Sequence, residues 1–549
     1  MGSYLKGPVK MCRAVPLFRP LCFATIAYLV LLLPYYATLC SYTINYLHIS
    51  LDSFDAVFRS CNNSWNSENC IGSTTTAYYP SMFTPAHEYY MNSFQDFHNA
   101  ADDRSLQLQF HESLDGLDIE KAVSLLVFCI ALVPFFVYVP LSLTILSSLG
   151  MVICLVLLIV LSAKCMNLPG ASDGIRIGFS GLLLSVDKLR AHNTFSGTGV
   201  LVTDSLVYDA ATFILLMLSL GLGVVPTLTH YKRVNYFGYD VVAILVSFYA
   251  IICWNAALVW SLIGYVANAE GIPNKAATLI DSGPKLALVV MPHAFSVLPG
   301  REGRYLASLY YAYLLLLALT SVAPMLETLN SSIYALLEYS NYLLVHKNPN
   351  TIRFSIALVT ISYTFTFGLI YCTKQGASVL GIVDMNLMYA ICFLISVQLG
   401  ILGTFFVYKV LVYADKCRVS LTDKRRKIFL ATSIAIGIFV VANFAHGIHM
   451  VVRFVLNYNN TPPLIAQVTH RWIIGVVPLA CFIIAVPILV VFMIKKAVQF
   501  HVPIINALFL PYGKTEVEIF QLAKYERGPR KKGALSKYRR DEFKLLSNQ

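Results

Sequence analysis

Residues 122–163 carry no charged side chain. That run is too long for one membrane helix and long enough for two, with a turn expected near Pro140. Apolar runs of spanning length recur at about 21–49, 204–232, 240–266, 305–338, 353–373, 379–411, 428–456 and 471–494. The chain therefore reads as about ten helices in a bilayer. Composition agrees: 57% of residues are hydrophobic and 13% are charged, which excludes a soluble domain. The net charge of +12 is no sign of nucleic-acid binding, because the basic residues sit in short loops and a tail between apolar spans.

Those basic residues report orientation. Residues 1–20 contain Lys6, Lys10, Arg13 and Arg19 and no acid, and read as a cytoplasmic N-terminal segment. Loop 412–427, with Lys416, Arg418, Lys424, Arg425, Arg426 and Lys427, is cytoplasmic too. Loop 457–470 has no Lys or Arg and carries the sequon Asn459-Asn460-Thr461, so it is expected outside. The long polar loop 50–118 carries a second sequon, Asn62-Asn63-Ser64, between Cys61 and Cys70. On the outer side, two such cysteines can close a ring. Asn330-Ser331-Ser332 is discounted as a sequon because it lies inside a span. The first apolar run, Leu21 to Leu47, is too long for a cleavable signal peptide. The expected division is a transmembrane domain over 21–500 and a basic cytoplasmic tail over 501–549.

The stretch Asp204–Lys232 has the length of a membrane helix, yet Ser219, Gly221 and Gly223 interrupt it, with Pro226 just beyond. Two readings are open. Small residues can serve close packing within an ordinary spanning helix. Alternatively the helix is broken, which a bilayer tolerates only where the freed backbone lines a cavity. Broken helices build substrate and ion sites in secondary transporters.

The residues of this stretch resemble a known family. Tyr208-Asp209-Ala210-Ala211-Thr212, then Leu220-Gly221-Leu222-Gly223 and later Tyr231, are similar to the sixth helix of the neurotransmitter:sodium symporter family. The match continues elsewhere. Cys61-Asn62-Asn63-Ser64-Trp65-Asn66, closing at Cys70, resembles the family's second extracellular loop, and Thr84-Pro85-Ala86-His87-Glu88-Tyr89-Tyr90 extends it. Pro34-Tyr35-Tyr36 resembles the third helix, and Leu168-Pro169-Gly170-Ala171 the outer end of the fifth. Gly283-Pro284, Met291-Pro292-His293-Ala294 and Leu298-Pro299 resemble the fourth extracellular loop, where the family has Glu at the position of His293. Met1-Gly2-Ser3-Tyr4 resembles the end of the second helix. On that match the chain begins where the family's second helix finishes. The expected fold is an all-α polytopic membrane protein with the inverted-repeat sodium-symporter (bacterial leucine transporter-like) architecture and an incomplete first repeat.

The resemblance implies a sodium-coupled carrier of amino acids or amines. It places Tyr36, Leu216, Met217 and Gly221 at the substrate, and Leu317, Thr320 and Ser321 at a second sodium site. The other reading of Thr320 and Ser321 is that they bond back to their own helix. Asp384 matches the acid of the outer gate. The matched positions of the first sodium site are Met217 and Phe248, and those of the chloride site add Phe213 and Ile252. All four lack a side-chain oxygen, and methionine sulfur is a poor partner for a hard cation. Chloride is accordingly not expected, and sodium is expected through the second site alone.

His446 and His449 stand one helical turn apart without a third ligand nearby, so they read as packing residues. No nucleophile triad, phosphate loop or paired catalytic carboxylates stand out, so an enzyme is not expected. The expected partners are a small amino acid or amine solute and the lipid bilayer. The resulting expectation is a transporter in the plasma membrane with both termini cytoplasmic. A transport-dead scaffold of the same fold is the alternative. The residues give no reading of oligomeric state.

Overall fold

The computed structural model describes residues 19–67, 70–72, 84–92, 116–180, 217–219, 222–231, 237–271, 285–340 and 349–373, with isolated positions at 214, 376, 380 and 383 and between 487 and 498. The described residues form no β-strand; Leu117 and Thr373 make an isolated bridge, and Cys70 also stands at a bridge position. In chain order the helices are α1 (Arg19–Asp52), α2 (Phe54–Phe58), α3 (Pro85–Tyr90), α4 (Ile119–Leu132), α5 (Leu141–Cys165) and α6 (Ala171–Ser180). They continue with α7 (Val224–Tyr231), α8 (Phe237–Ala269), α9 (Met291–Val297), α10 (Glu302–Ser340) and α11 (Pro349–Gly368).

Six helical segments among the described residues are long and apolar enough to cross a membrane, by length and composition. α5 has 25 residues, roughly 37 Å at the α-helical rise, against a hydrocarbon core of about 30 Å. The charge-free stretch divides as expected. α4 runs through a 3₁₀ turn (Val133–Phe136), and α5 starts immediately after Pro140. The expected spans at 379–411, 428–456 and 471–494 lie outside the described residues, apart from isolated helical positions.

α10 is the central post. It packs against α1, α4, α5, α7, α9 and α11. Its buried residues Tyr310, Tyr311, Val322, Ala323, Leu326 and Leu329 join a core completed by Leu29, Leu33 and Tyr46 of α1. α5 and α8 turn broad apolar faces outward, including Val152, Val156, Val242 and Val246. Polar pairs tie the helices together. Ser124 donates to Asn45 between α4 and α1, Trp254 Nε1 to Ser162 at 2.7 Å between α8 and α5, and Tyr313 to Asn255 at 2.7 Å between α10 and α8.

Pro34 lies inside α1. Proline has no N–H, so the Val30 carbonyl four residues earlier loses its helical donor. The Tyr363 hydroxyl of α11 donates to that carbonyl at 3.0 Å. A cross-helix bond thus replaces the missing local one, as a water-poor surrounding demands.

α6 crosses the C-terminal part of α8 on glycine. Gly170, Gly174 and Gly178 recur at four-residue spacing and face Trp260 and Gly264. A Cβ on Gly174 would stand 2.1 Å from the Trp260 carbonyl oxygen, and one on Gly264 would stand 2.5 Å from that of Gly170. Backbone meets backbone, so no rotamer change relieves the clash.

Two stability predictions follow from these contacts. Tyr363→Phe removes the donor to Val30 and should cost about 1–2 kcal/mol, read as a lower melting temperature in detergent. Gly264→Ala should cost about 1–3 kcal/mol by overpacking. An unchanged melting temperature in either variant would show that the contact does not form.

Candidate substrate and ion site

The helix between Asp204 and Lys232 is interrupted. Ile214 and Met217 are helical, Leu218 and Ser219 form a turn, Leu222 and Gly223 form another, and α7 begins at Val224. Ser219 has φ +50° and Gly223 φ +80°. Both lie in the left-handed region, which costs a non-glycine residue roughly 1–2 kcal/mol. A continuous helix cannot hold such residues, so the ordinary-helix reading is set aside. After the break, Thr227 restarts the chain by bonding to the Gly223 carbonyl through its N–H (3.2 Å) and its hydroxyl (2.8 Å). Leu222 and Val224 are buried in the core, and α7 packs on α10.

Beside the broken helix stands the middle of α10. Thr320 donates to the carbonyls of Leu316 and Leu317, each at 3.0 Å. Ser321 donates to Leu317 at 2.7 Å. Three oxygens matched to one ion site are therefore gathered within one turn: the Leu317 carbonyl and the Thr320 and Ser321 hydroxyls. Here the hydroxyls bond to their own helix, and the oxygens fit a small hard cation once those bonds open. Thr320 is pressed by α5: a Cβ on Gly150 would come within 2.7 Å of its methyl. The Tyr36 side chain of α1 interacts with both Ser321 and Cys40. The structure thus joins the matched substrate tyrosine to the matched sodium serine.

The other matched positions differ in character. Met217 is 55% exposed. Phe248 and Ile252 on α8 are half-buried, with Phe248 edge-on to Tyr249. None offers an oxygen to a cation or a hydrogen-bond donor to chloride. Leu216, Gly221, Phe213, Asp384, Asn459, His446 and His449 lie outside the described residues. Among the described residues, no cluster of three or more His, Cys, Asp or Glu could hold a metal.

One end of the bundle carries a network that the sequence only hinted at. The Tyr231 hydroxyl at the end of α7 donates to Glu327 of α10, which is 4% exposed. Arg353 of α11 acts electrostatically on both, and its guanidinium lies 4.7 Å from the Tyr334 ring centroid. A lone acid within a long apolar span and an arginine opening the next were its sequence signals.

The opposite end is a covered surface. Cys61 and Cys70 form a disulfide. The ring they close is held by buried Glu88 of α3, which accepts from Asn66 Nδ2 at 2.9 Å, from the Ser67 N–H at 3.1 Å and from the Ser67 hydroxyl. Asn62 is exposed on this ring. Arg59, following α2, donates to the carbonyls of Ser296 (2.9 Å), Leu298 (2.5 Å) and Gly300 (2.9 Å). The Ser296 carbonyl is one that the end of α9 leaves without a helical partner, and those of Leu298 and Gly300 belong to the turn that follows. Tyr46 packs against Phe58, Tyr89 and Tyr311 at centroid distances of 5.7, 5.8 and 5.3 Å. α1, α2, α3, α9 and α10 are thereby bound into one outer layer.

Apolar spans around a broken helix, with hydroxyl oxygens on a neighbouring span, are the kind of arrangement on which secondary carriers build their sites. The chain belongs to the sodium:neurotransmitter symporter family, whose model matches residues 1–497. It is 25% identical over 431 residues to the sodium- and chloride-dependent glycine transporter 2 of Xenopus laevis, covering 73% of this chain and 51% of that protein. It is 24% identical over 436 residues to the sodium-dependent dopamine transporter of Bos taurus (77% and 56%). It is 26% identical over 416 residues to the sodium- and chloride-dependent creatine transporter 1 of Bos taurus (69% and 59%). The chain thus spans little more than half the length of these relatives.

Replacing Ser219 by glycine removes a left-handed φ from a non-glycine residue. Ser219→Gly should stabilise the protein by roughly 1 kcal/mol, seen as a raised melting temperature. A lowered one would show that the serine side chain contributes more than its backbone strain costs.

Proposed function

We propose that this chain is the membrane domain of a secondary transporter that moves a small amino acid or amine solute by alternating access. Sodium at Leu317, Thr320 and Ser321 is its coupling ion. The observation that carries the reading is the backbone break at Ser219 and Gly223 in a helix packed on the span that bears those oxygens. The names of the relatives support the solute class: glycine, dopamine and creatine are small amines or amino acids. Tyr36 contacts the solute from α1, with Leu216, Met217 and Gly221 across from it on the broken helix, and Asp384 serves at the outer gate.

Coupling to chloride is absent in this reading. Two of the relatives are named as chloride-dependent, whereas here Met217, Phe213, Phe248 and Ile252 are apolar. The network of Tyr231, Glu327 and Arg353 closes the cytoplasmic end by tying α7, α10 and α11 together. Separation of those three elements opens the path inward. Both termini are cytoplasmic, the disulfide ring faces outside the plasma membrane, and Asn62 and Asn459 carry glycans.

The apolar replacements favour one other reading, a transport-dead membrane scaffold of the same fold. Uptake separates the two. Labelled glycine, dopamine and creatine are offered to cells expressing the complete transcript, with sodium or an organic cation and with chloride or gluconate. Sodium-dependent, chloride-indifferent uptake is expected. Thr320→Ala with Ser321→Ala should raise the sodium concentration for half-maximal uptake about tenfold or more, from loss of two ligands at about 1–2 kcal/mol each. Uptake that ignores sodium overturns the coupling, and no uptake of any amine by surface-resident protein supports the scaffold. The topology has its own test. Asn62→Gln should remove one glycosidase-sensitive step in gel mobility, and an unchanged pattern would place that loop inside.

A further inference from the structure

α1 and α10 each carry an interior proline, Pro34 and Pro324. Each strips the helical donor from the carbonyl four residues earlier. For Pro34 that carbonyl belongs to Val30, and the Tyr363 hydroxyl supplies a replacement. For Pro324 it belongs to Thr320, and no side chain among the described residues donates to it.

α5 packs across this part of α10 in the opposite direction. A Cβ on Gly150 would meet the Thr320 methyl at 2.7 Å, and the Cys154 thiol lies 3.9 Å from the Tyr313 carbonyl oxygen. Ser147 stands one turn before Gly150, on the stripe that carries buried Leu143, Gly150, Cys154 and Leu158. The antiparallel register sets it about one turn beyond Thr320, at the level of Pro324. A helical carbonyl points toward the C-terminus, so the Thr320 oxygen leans to that same level. The Ser147 hydroxyl is buried and makes no hydrogen bond among the described residues. It is the exception on α5: Ser162 bonds back to the Leu158 carbonyl at 2.6 Å and Thr144 to that of Pro140 at 2.9 Å. A carbonyl without its helical donor and a hydroxyl without a partner thus share one seam.

We propose that the Thr320 carbonyl and the Ser147 hydroxyl form a second position for a small hard cation, on the α5 side of α10. It is distinct from the set of the Leu317 carbonyl with the Thr320 and Ser321 hydroxyls. Inside a membrane such a cation exchanges water for protein oxygens, and carbonyls released from helical bonding serve this purpose in secondary carriers. The Ser147 oxygen offers a lone pair to the ion, while its proton turns to the Leu143 carbonyl one turn earlier, as that of Ser162 does to Leu158. Two protein oxygens leave the rest of the shell to water, so this position binds more weakly than the first. Sodium fits it, whereas magnesium, which demands near-ideal octahedral geometry, does not. That the cation here belongs to the coupling cycle rests on the transport reading; the position itself stands on the seam between α5 and α10.

The test uses purified full-length protein in detergent, where transport plays no part. Melting temperature is followed against sodium chloride, with N-methylglucamine chloride holding ionic strength constant. Thr320→Ala with Ser321→Ala removes both hydroxyls of the first set and leaves the main-chain carbonyl of residue 320 in place. That double variant should keep a sodium-dependent rise in melting temperature, reached at about tenfold higher sodium. Adding Ser147→Ala should abolish the rise. Adding Pro324→Ala instead, which returns an N–H to the Thr320 carbonyl, should abolish it too, so either addition decides if the other fails to fold. A double variant with no sodium response overturns the proposal, as does a response that survives these additions. The coupling reading fails differently: the double variant then matches the unaltered protein in its response to sodium.

Discussion

A bilayer offers no hydrogen bonds, and every departure from regular helix in this protein is arranged around that fact. Pro34 takes a donor from α1, and Tyr363 of α11 supplies one to the orphaned Val30 carbonyl. At the end of α9 and in the turn beyond it, Arg59 collects the carbonyls of Ser296, Leu298 and Gly300. The break at Ser219 and Gly223 is the largest departure, and Thr227 repairs its far side by doubling its bonds to Gly223. The helix that resumes after the break packs on α10.

That arrangement links fold to function. Thr320 and Ser321 satisfy themselves on Leu316 and Leu317. Their hydroxyls are therefore neither stranded without an ion nor locked away from one. Under the proposed function, a cation at this site would compete with bonds of ordinary strength, so its binding would be reversible. Under the same proposal, the Tyr36 side chain, which interacts with Ser321, would link α1 to that exchange. At the other end, Tyr231 and Glu327 join the helix after the break to α10.

Much of this was legible in the residues. Length and charge placed the spans, and the uncharged stretch at 122–163 divided beside Pro140 as its length required. Asp-Ala-Ala-Thr and the glycines located the break, and the spacing of Cys61 and Cys70 led to their ring. Packing was less visible. Which glycines abut backbone, as Gly174 and Gly264 do, depends on how α6 crosses α8, and nothing local encodes that. The pairing of Tyr231 with Glu327 spans 96 positions, and that of His293 with Glu270 joins residues separated by a loop. Periodicity reports faces of helices, not which faces meet.

Arg59 touches α9 through main-chain oxygens alone. It reads the path of the chain and is blind to what hangs from it. The side chains at these positions are fixed by other constraints, since Ser296 and Leu298 are buried and Gly300 has φ +61°. A single inserted or deleted residue there would move all three out of reach together. This corner is therefore constrained in length by the carbonyls and in letters by burial and backbone.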